Sequence, residues 1–113
     1  MADAFWEYHK ENLADPEYAR EFAVESVRVR TIDTIIGQLD EKREEVGLSK
    51  AALARAVGSE PAVVRRLLSS AGMNPTLGTL AEIAAALGLK VALEPMSEAE
   101  RHEITEPTLM GVA

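Results

Sequence analysis

The chain contains two adjacent arginines, Arg65 and Arg66, whose chemistry suits a nucleic acid. A guanidinium group can donate two hydrogen bonds to one guanine edge, which discriminates against the wrong base by about 1–3 kcal/mol. Lys50 begins a predicted helix, where a cation can meet a phosphate oxygen. Glu60 repels phosphate, so it either caps a helix or accepts a hydrogen bond from a cytosine amine. The expected DNA contacts are Lys50, Glu60, Pro61, Ala62, Arg65, Arg66 and Ser69.

Charge is distributed unevenly along the 113 residues, whose formal net charge is −7. Residues 1–45 carry a net −6 and residues 76–113 a net −4, whereas residues 46–75 carry a net +3. The basic segment is the one that contains the two adjacent arginines. The acidic total therefore does not argue against DNA binding, because the segment that can meet phosphate is basic.

Several classes of function have no support in the sequence. It contains no cysteine, which excludes disulfide bonds, thiolate metal sites and cysteine nucleophiles. There is no glycine-rich phosphate loop and no metal-ligand spacing, and His9 lies far from His102. We therefore expect no enzymatic activity, no cofactor and no metal. No apolar run reaches the roughly 18 residues of a membrane span, and no signal-peptide pattern is present, so we expect a soluble, cytoplasmic protein.

Cap and turn residues predict two short helices around the basic segment. Ser49 caps a predicted helix over roughly 50–57, and Gly58 supplies the positive φ of a tight turn. A second helix over about 61–69 begins at a proline and has Glu60 as its expected cap. Two helices joined in this way form a helix-turn-helix, whose second helix fits the major groove of DNA.

A long helical pattern precedes this pair. Asp15 is the expected cap of a helical stretch over 16–46, which is long for a globular protein. We predict a break near residues 30–33, which would give helices over roughly 16–29 and 32–45. One continuous helix is the alternative.

After a last predicted helix over 77–87, the period of the apolar residues changes to two. Leu89, Val91 and Leu93 alternate with other residues, which predicts a strand over 89–94. A lone strand cannot satisfy its own backbone groups, and the sequence predicts no second one. We expect the same strand of a second copy to pair with it across a two-fold axis. A strand from another protein is the alternative.

The two ends of the chain have mixed patterns. We expect residues 1–14 to be irregular or weakly helical and the C-terminal tail to be partly disordered. The expected organisation is an N-terminal extension and helix over 1–30, a helix-turn-helix domain with its terminal strand over 31–95, and a flexible tail over 96–113.

The N-terminal segment is acidic and carries Phe5, Trp6 and Tyr8 in a chain with few aromatic residues. Its charge suits a basic protein partner, and aromatic side chains are enriched among the residues that dominate binding energy at interfaces. The alternatives are a solvated helix that packs on the domain and aromatic side chains that pack back on this chain.

The pieces "REEVGLS", "LARAVG" and "NPTLGTLAEIAAALG", in this order and spacing, resemble the XRE/Cro-type helix-turn-helix domain over roughly residues 32–93. With "NLADPEYAREF" before it and "LKVALEP" after it, the chain resembles HigA-type antitoxins of type II toxin–antitoxin pairs. The resemblance implies a mainly all-α, lambda-repressor-like domain of five helices, here with an extra N-terminal helix and one short C-terminal β-strand. It further implies operator binding as a homodimer, repression of the protein's own operon and neutralisation of a small RelE/HigB-like toxin that cleaves mRNA on the ribosome.

The chain departs from this family at the start of the second helix. Family members usually have an apolar residue where Ser59 stands and a small polar cap where Glu60 stands, and often Gln, Ser, Thr or Asn at the positions of Pro61 and Ala62. Proline and alanine offer no side-chain hydrogen bond, so base reading would depend mainly on the two arginines. The alternative functions are a stand-alone XRE-type regulator and a protein-interaction module whose helix-turn-helix does not bind DNA.

Overall fold

A computed structural model describes residues 2–12, 14–69, 74–110 and 112 of the chain, most of them helical. The chain divides into two compact units, Arg30–Leu93 and Met1–Val29 with Glu94–Ala113. The first five helices are α1 Ala2–Asn12, α2 Pro16–Glu45, α3 Lys50–Ala56, α4 Pro61–Ser69 and α5 Leu77–Ala86. A C-terminal helical segment follows, made of α6 Glu98–Glu100, a π-helical turn Arg101–Thr105 and α7 Glu106–Leu109.

Helix α2 is continuous from Pro16 to Glu45, so the predicted break near residues 30–33 is wrong and the alternative of one helix is confirmed. The prediction of a break rested on length alone, and no glycine or proline in 30–33 removes a backbone hydrogen bond or adds chain entropy. Helix α2 begins where the sequence predicted, and the Asp15 carboxylate caps it by accepting a hydrogen bond from the Glu17 N–H at 3.0 Å.

The N-terminal residues form a regular helix, where the sequence indicated an irregular or weakly helical segment. The reason is packing between aromatic rings of α1 and α2. His9 is buried, its ring lies 4.3 Å from the ring of Phe22, and its Nδ1 is 3.0 Å from the Tyr18 hydroxyl. This burial stabilises a helix that is too short to be stable alone.

The expected flexible tail is helical over residues 98–109, so the expectation of partial disorder is wrong for this part. Ser97 and Glu100 form a capping box, in which each side chain accepts a hydrogen bond from the other residue's N–H at 3.1 Å. Further along, Ile104 is buried, and the Arg20 guanidinium donates to the Met110 carbonyl at 3.0 Å. The Ser-x-x-Glu spacing of this capping box is a helix-start signal that sequence reasoning missed. Residues 111 and 113 lie outside the described part.

The hydrophobic core of Arg30–Leu93 is formed by the buried faces of α3, α4 and α5, together with the C-terminal half of α2. Helix α3 packs against both α4 and α5. The buried residues of this core are Ile36, Leu39, Leu53, Ala54, Val64, Leu67, Leu68, Leu80, Ile83, Ala84 and Leu87. The described part of this unit contains four helical segments, whereas the family resemblance implied five.

Residues 89–97 have no regular secondary structure, so the strand predicted over 89–94 is not seen. A strand is defined by its hydrogen-bonded neighbour, and the described residues of the chain supply none. The N–H groups of residues 90–94 donate no hydrogen bond to any described residue. The Leu93 side chain is 100% exposed.

Replacing Ile83 by alanine tests this core. Ile83 is 1% exposed, so Ile83→Ala leaves a cavity and should lower the free energy of unfolding by about 2–5 kcal/mol. Denaturant unfolding followed by circular dichroism measures the change. The matched control is Leu77→Ala on the same helix, where the side chain is 68% exposed and the change should stay within about 0.5 kcal/mol. Equal losses in the two variants would contradict the described core.

Candidate nucleic-acid interface

The turn between α3 and α4 has the geometry that the sequence predicted. Gly58 has φ 65°, a value that favours glycine. The Ser59 N–H donates to the Ala54 carbonyl at 2.8 Å, and the Gly58 N–H to the Arg55 carbonyl at 3.2 Å. This pair of bonds is a Schellman motif, which closes α3 and reverses the chain into α4.

Hydroxyl side chains cap two helices of this unit, and the cap at Ser49 was predicted. The Ser49 hydroxyl accepts from the Ala52 N–H at 3.0 Å at the start of α3, and the Thr76 hydroxyl accepts from the Thr79 N–H at 3.1 Å at the start of α5. These caps fix the first turns of the helices on either side of α4.

The cap expected from the Glu60 side chain is not seen. Its backbone carbonyl accepts from the N–H groups of Val63 at 3.0 Å and Val64 at 3.3 Å. Its carboxylate is exposed and accepts no hydrogen bond from the described residues. The glutamate side chain is longer than the Ser, Thr, Asp and Asn side chains that reach back to cap a first turn. A free negative charge therefore stands at the start of α4.

The outer face of α4 follows from its buried face. Val64, Leu67 and Leu68 are buried, and a helix has about 3.6 residues per turn, which places three exposed residues on the opposite side. Those three residues are Ala62, Arg66 and Ser69. Arg65 and Val63 are also exposed and flank this face, one on each side. The adjacent arginines thus occupy different positions, with Arg66 near the middle and Arg65 at one edge. Pro61 is only partly exposed.

Neither arginine of α4 has an ion-pair or hydrogen-bond partner among the residues that the structure describes. Arg43 shows the contrast, since its guanidinium group donates to the Asp40 carboxylate at 2.9 Å and to the Leu48 carbonyl at 2.8 Å. Arg43 links the end of α2 to the following turn, a role that sequence reasoning missed. The cations of α4 are left available to a ligand.

Lys50 and Ser69, two of the expected DNA contacts, lie together. The Lys50 ammonium group donates to the Ser69 hydroxyl at 2.8 Å, which joins the start of α3 to the end of α4. An ammonium group carries three N–H donors, so two remain for other acceptors. The pair has the chemistry of a phosphate contact beside the arginines.

Val63 is an exposed residue of α4 that sequence reasoning missed. Its side chain is 40% exposed although it is apolar. The signal in the sequence was its position, because Val63 adjoins the buried Val64 and falls outside the apolar stripe of α4.

The other predicted binding residues are exposed. Phe5, Trp6 and Tyr8 are more than half exposed and at the same time contact rings of this chain, with Phe5 stacked on His9 and Tyr8 edge-on to Tyr18. The aromatic residues thus pack on this chain and still offer a surface. The residues of the predicted dimer strand, Leu89, Val91 and Leu93, are all exposed.

Two further features are absent from the described residues. None of the helices they form has the length and apolar character needed to cross a membrane. The same residues contain no group of three or more His, Cys, Asp or Glu side chains that could hold a metal ion.

Comparison with known proteins identifies the segment that carries this site. Searches of the curated proteins and of the solved structures each gave no significant match. A family model described as helix-turn-helix matches residues 39–93, which include α3, α4, α5 and the segment after them. Over residues 39–93 the chain thus matches the XRE-type helix-turn-helix family, and this match supports a DNA-binding regulator.

Proposed function

We propose that this protein is an antitoxin that binds operator DNA sequence-specifically as a homodimer, represses its own operon and neutralises a small basic toxin of the RelE/HigB type. The DNA-binding part rests on the two exposed arginines of α4. Neither of them has a partner among the described residues of the chain. They lie on the second helix of a segment that matches a helix-turn-helix family.

In this proposal, α4 enters the major groove with Arg66 directed at a base edge, since it lies opposite the buried face of the helix. Arg65 at the edge of that face reaches a base or a phosphate. Lys50 and Ser69 contact the DNA backbone, which positions the protein without reading sequence. The exposed Glu60 carboxylate limits the approach of phosphate at the start of the helix.

Residues 89–94 are proposed to pair with the same residues of a second copy. Two observations support this pairing. The backbone N–H groups of residues 90–94 have no acceptor among the described residues, and Leu93 is fully exposed. A two-fold dimer would place two α4 helices in successive major grooves, about one DNA turn apart, and the operator would then be palindromic.

The unit formed by Met1–Val29 and Glu94–Ala113 is proposed to bind the toxin through its N-terminal helix. Its half-exposed aromatic side chains offer apolar anchors, and α1 and the start of α2 also carry exposed carboxylates. The acidic residues of this surface are Glu7, Glu11, Glu17 and Glu21. A ribonuclease is basic because its substrate is acidic, so charge complementarity would speed association.

Removing the two arginines tests DNA binding. The double variant Arg65→Ala, Arg66→Ala should lose at least about tenfold in affinity, because one bidentate contact to a guanine is worth about 1–3 kcal/mol. The salt dependence should also become shallower by about one unit of log–log slope for each lost phosphate contact. The measurement is fluorescence anisotropy with the DNA immediately upstream of the protein's own gene, across a salt series.

The double variant Arg28→Ala, Arg101→Ala is the matched control, since it removes the same charge from exposed residues outside residues 39–93 and should bind nearly as the wild type does. Equal and weak wild-type binding to upstream and scrambled DNA would favour a protein-interaction module instead.

Leu93→Asp tests the dimer. A charge at this fully exposed leucine should cost little in the isolated chain but should disrupt a paired apolar strand, so the dimer should become a monomer. Light scattering coupled to gel filtration measures the mass. Leu77→Asp, at another exposed leucine, should leave the dimer intact. A mass unchanged by Leu93→Asp would rule out strand pairing.

Partner binding is tested with Phe5→Ala, Trp6→Ala. The probe is a small basic protein encoded beside the gene, and calorimetry measures its affinity. Loss of two aromatic anchors should weaken binding by roughly 30-fold or more, the factor for about 2 kcal/mol at an interface hot spot. The control is Val46→Ala, Leu77→Ala, which truncates exposed apolar residues of the other unit. Absence of such a gene, or no binding by its product, would favour a stand-alone regulator.

A further inference from the structure

The apolar part of the outer face of α4 has no evident role in folding. Val63 is 40% exposed, so it contributes much less burial than its neighbour Val64, which is 1% exposed. Valine is also among the weaker helix formers, because its branched side chain loses rotamer freedom in a helix. The exposed part of this valine is available for a contact outside the chain.

Val63 lies next to Arg66 on the helix surface. The two residues are three apart, and Ala62 and Arg66 are four apart, which are the spacings of neighbours on a helix. The outer surface of α4 thus has an apolar pair in its first turn and a free cation one turn later. Ala62 and Val63 can donate and accept no side-chain hydrogen bond.

The major groove of DNA displays one apolar group among its base edges, the 5-methyl group of thymine. The other groups on these edges are hydrogen-bond donors and acceptors. An apolar side chain placed in the groove therefore gains contact with thymine and leaves the polar groups of any other base without a partner. An arginine in the groove prefers guanine, because guanine presents two acceptors for the hydrogen bonds that the guanidinium group donates.

We propose that Val63 contacts the methyl group of a thymine that neighbours the guanine bound by Arg66. The inference deepens the proposed DNA binding and depends on it. Each operator half-site then contains a thymine beside a guanine within the reach of one helical turn, and methyl contact supplies part of the selectivity at the start of α4. The first turn of α4, which has no hydrogen-bonding side chain at positions 61–63, would then contribute to base recognition.

The experiment begins with selection from a pool of duplexes that contain 20 randomised base pairs. The enriched duplex is then remade with each thymine replaced in turn by uracil, which removes the methyl group and keeps the pairing edge. For the wild-type protein, one thymine in each half-site should be sensitive, with a loss of about fourfold in affinity, the factor for one methyl group at about 0.8 kcal/mol.

Val63→Ala should bind the thymine duplex about fourfold or more weakly than the wild type and should show no further loss on the uracil duplex, since the two changes remove the same contact. Val63→Thr keeps one methyl group and the branched shape, so it should retain part of the discrimination. The control is Val46→Ala, because Val46 is 47% exposed and lies outside α4. This variant should lose the same factor in affinity on the uracil duplex as the wild type does. Thermal melting confirms that each variant is folded.

Two results would overturn the inference. If the selected duplex binds tightly but no thymine is sensitive to uracil, the methyl contact is wrong and DNA binding by the arginines stands. If the wild type and Val63→Ala lose the same factor at the sensitive thymine, another residue reads the methyl group. A selection that enriches no sequence would instead refute the sequence-specific DNA binding on which the inference depends.

Discussion

Close packing of α3 on α4 sets the direction of every side chain on the candidate interface. Leu53 and Ala54 of α3 are fully buried, and Val64 of α4 is nearly so. Helix α4 has nine residues, and an isolated helix of that length is not stable in water. Its structure and rotation therefore come from the core beneath it. A larger side chain at Ala54 would overpack the contact and shift α4, although it would touch no ligand.

The same packing separates two kinds of arginine. Arg43 has its charge satisfied inside the chain, by Asp40 and a backbone carbonyl, and so contributes to the structure. The arginines of α4 have no such acceptor in the described part of the chain. This distribution resolves the apparent conflict between an acidic protein and an anionic ligand. The acidic residues lie mainly in residues 1–45 and 76–113, and salt screens their repulsion beyond roughly 10 Å.

Local signals in the sequence were sufficient to predict the helices and the turn of the helix-turn-helix. Ser49, Gly58 and Thr76 act through hydrogen bonds or backbone angles within a few residues, and the apolar stripes of α3, α4 and α5 have a regular period. Two of the failures have non-local causes. Helix α1 depends on the packing of His9 against the rings of α2, and a strand depends on a neighbour that the described residues do not supply.

Within the candidate site, residue types were easier to predict than roles. The sequence indicated Arg65 and Arg66 as equivalent, but helix geometry gives Arg66 the central position. It indicated Glu60 as the cap of α4, but the Glu60 carboxylate accepts no hydrogen bond from the described residues. It did not indicate Val63, although the helical period places this valine outside the apolar stripe of α4. Each of these distinctions requires the rotation of α4 about its axis, which the core determines.

In the proposed DNA complex, the hydrogen bond between Lys50 and Ser69 would affect the entropy of binding. A free lysine side chain samples many rotamers, and fixing it on a ligand costs up to about 2 kcal/mol. Here the Ser69 hydroxyl already restrains the Lys50 ammonium group, so part of that cost is met in folding rather than in complex formation. The ammonium group is held at one place on the surface while two of its donors remain free. The lysine therefore acts as an oriented donor, with a geometric preference that a freely moving surface cation lacks.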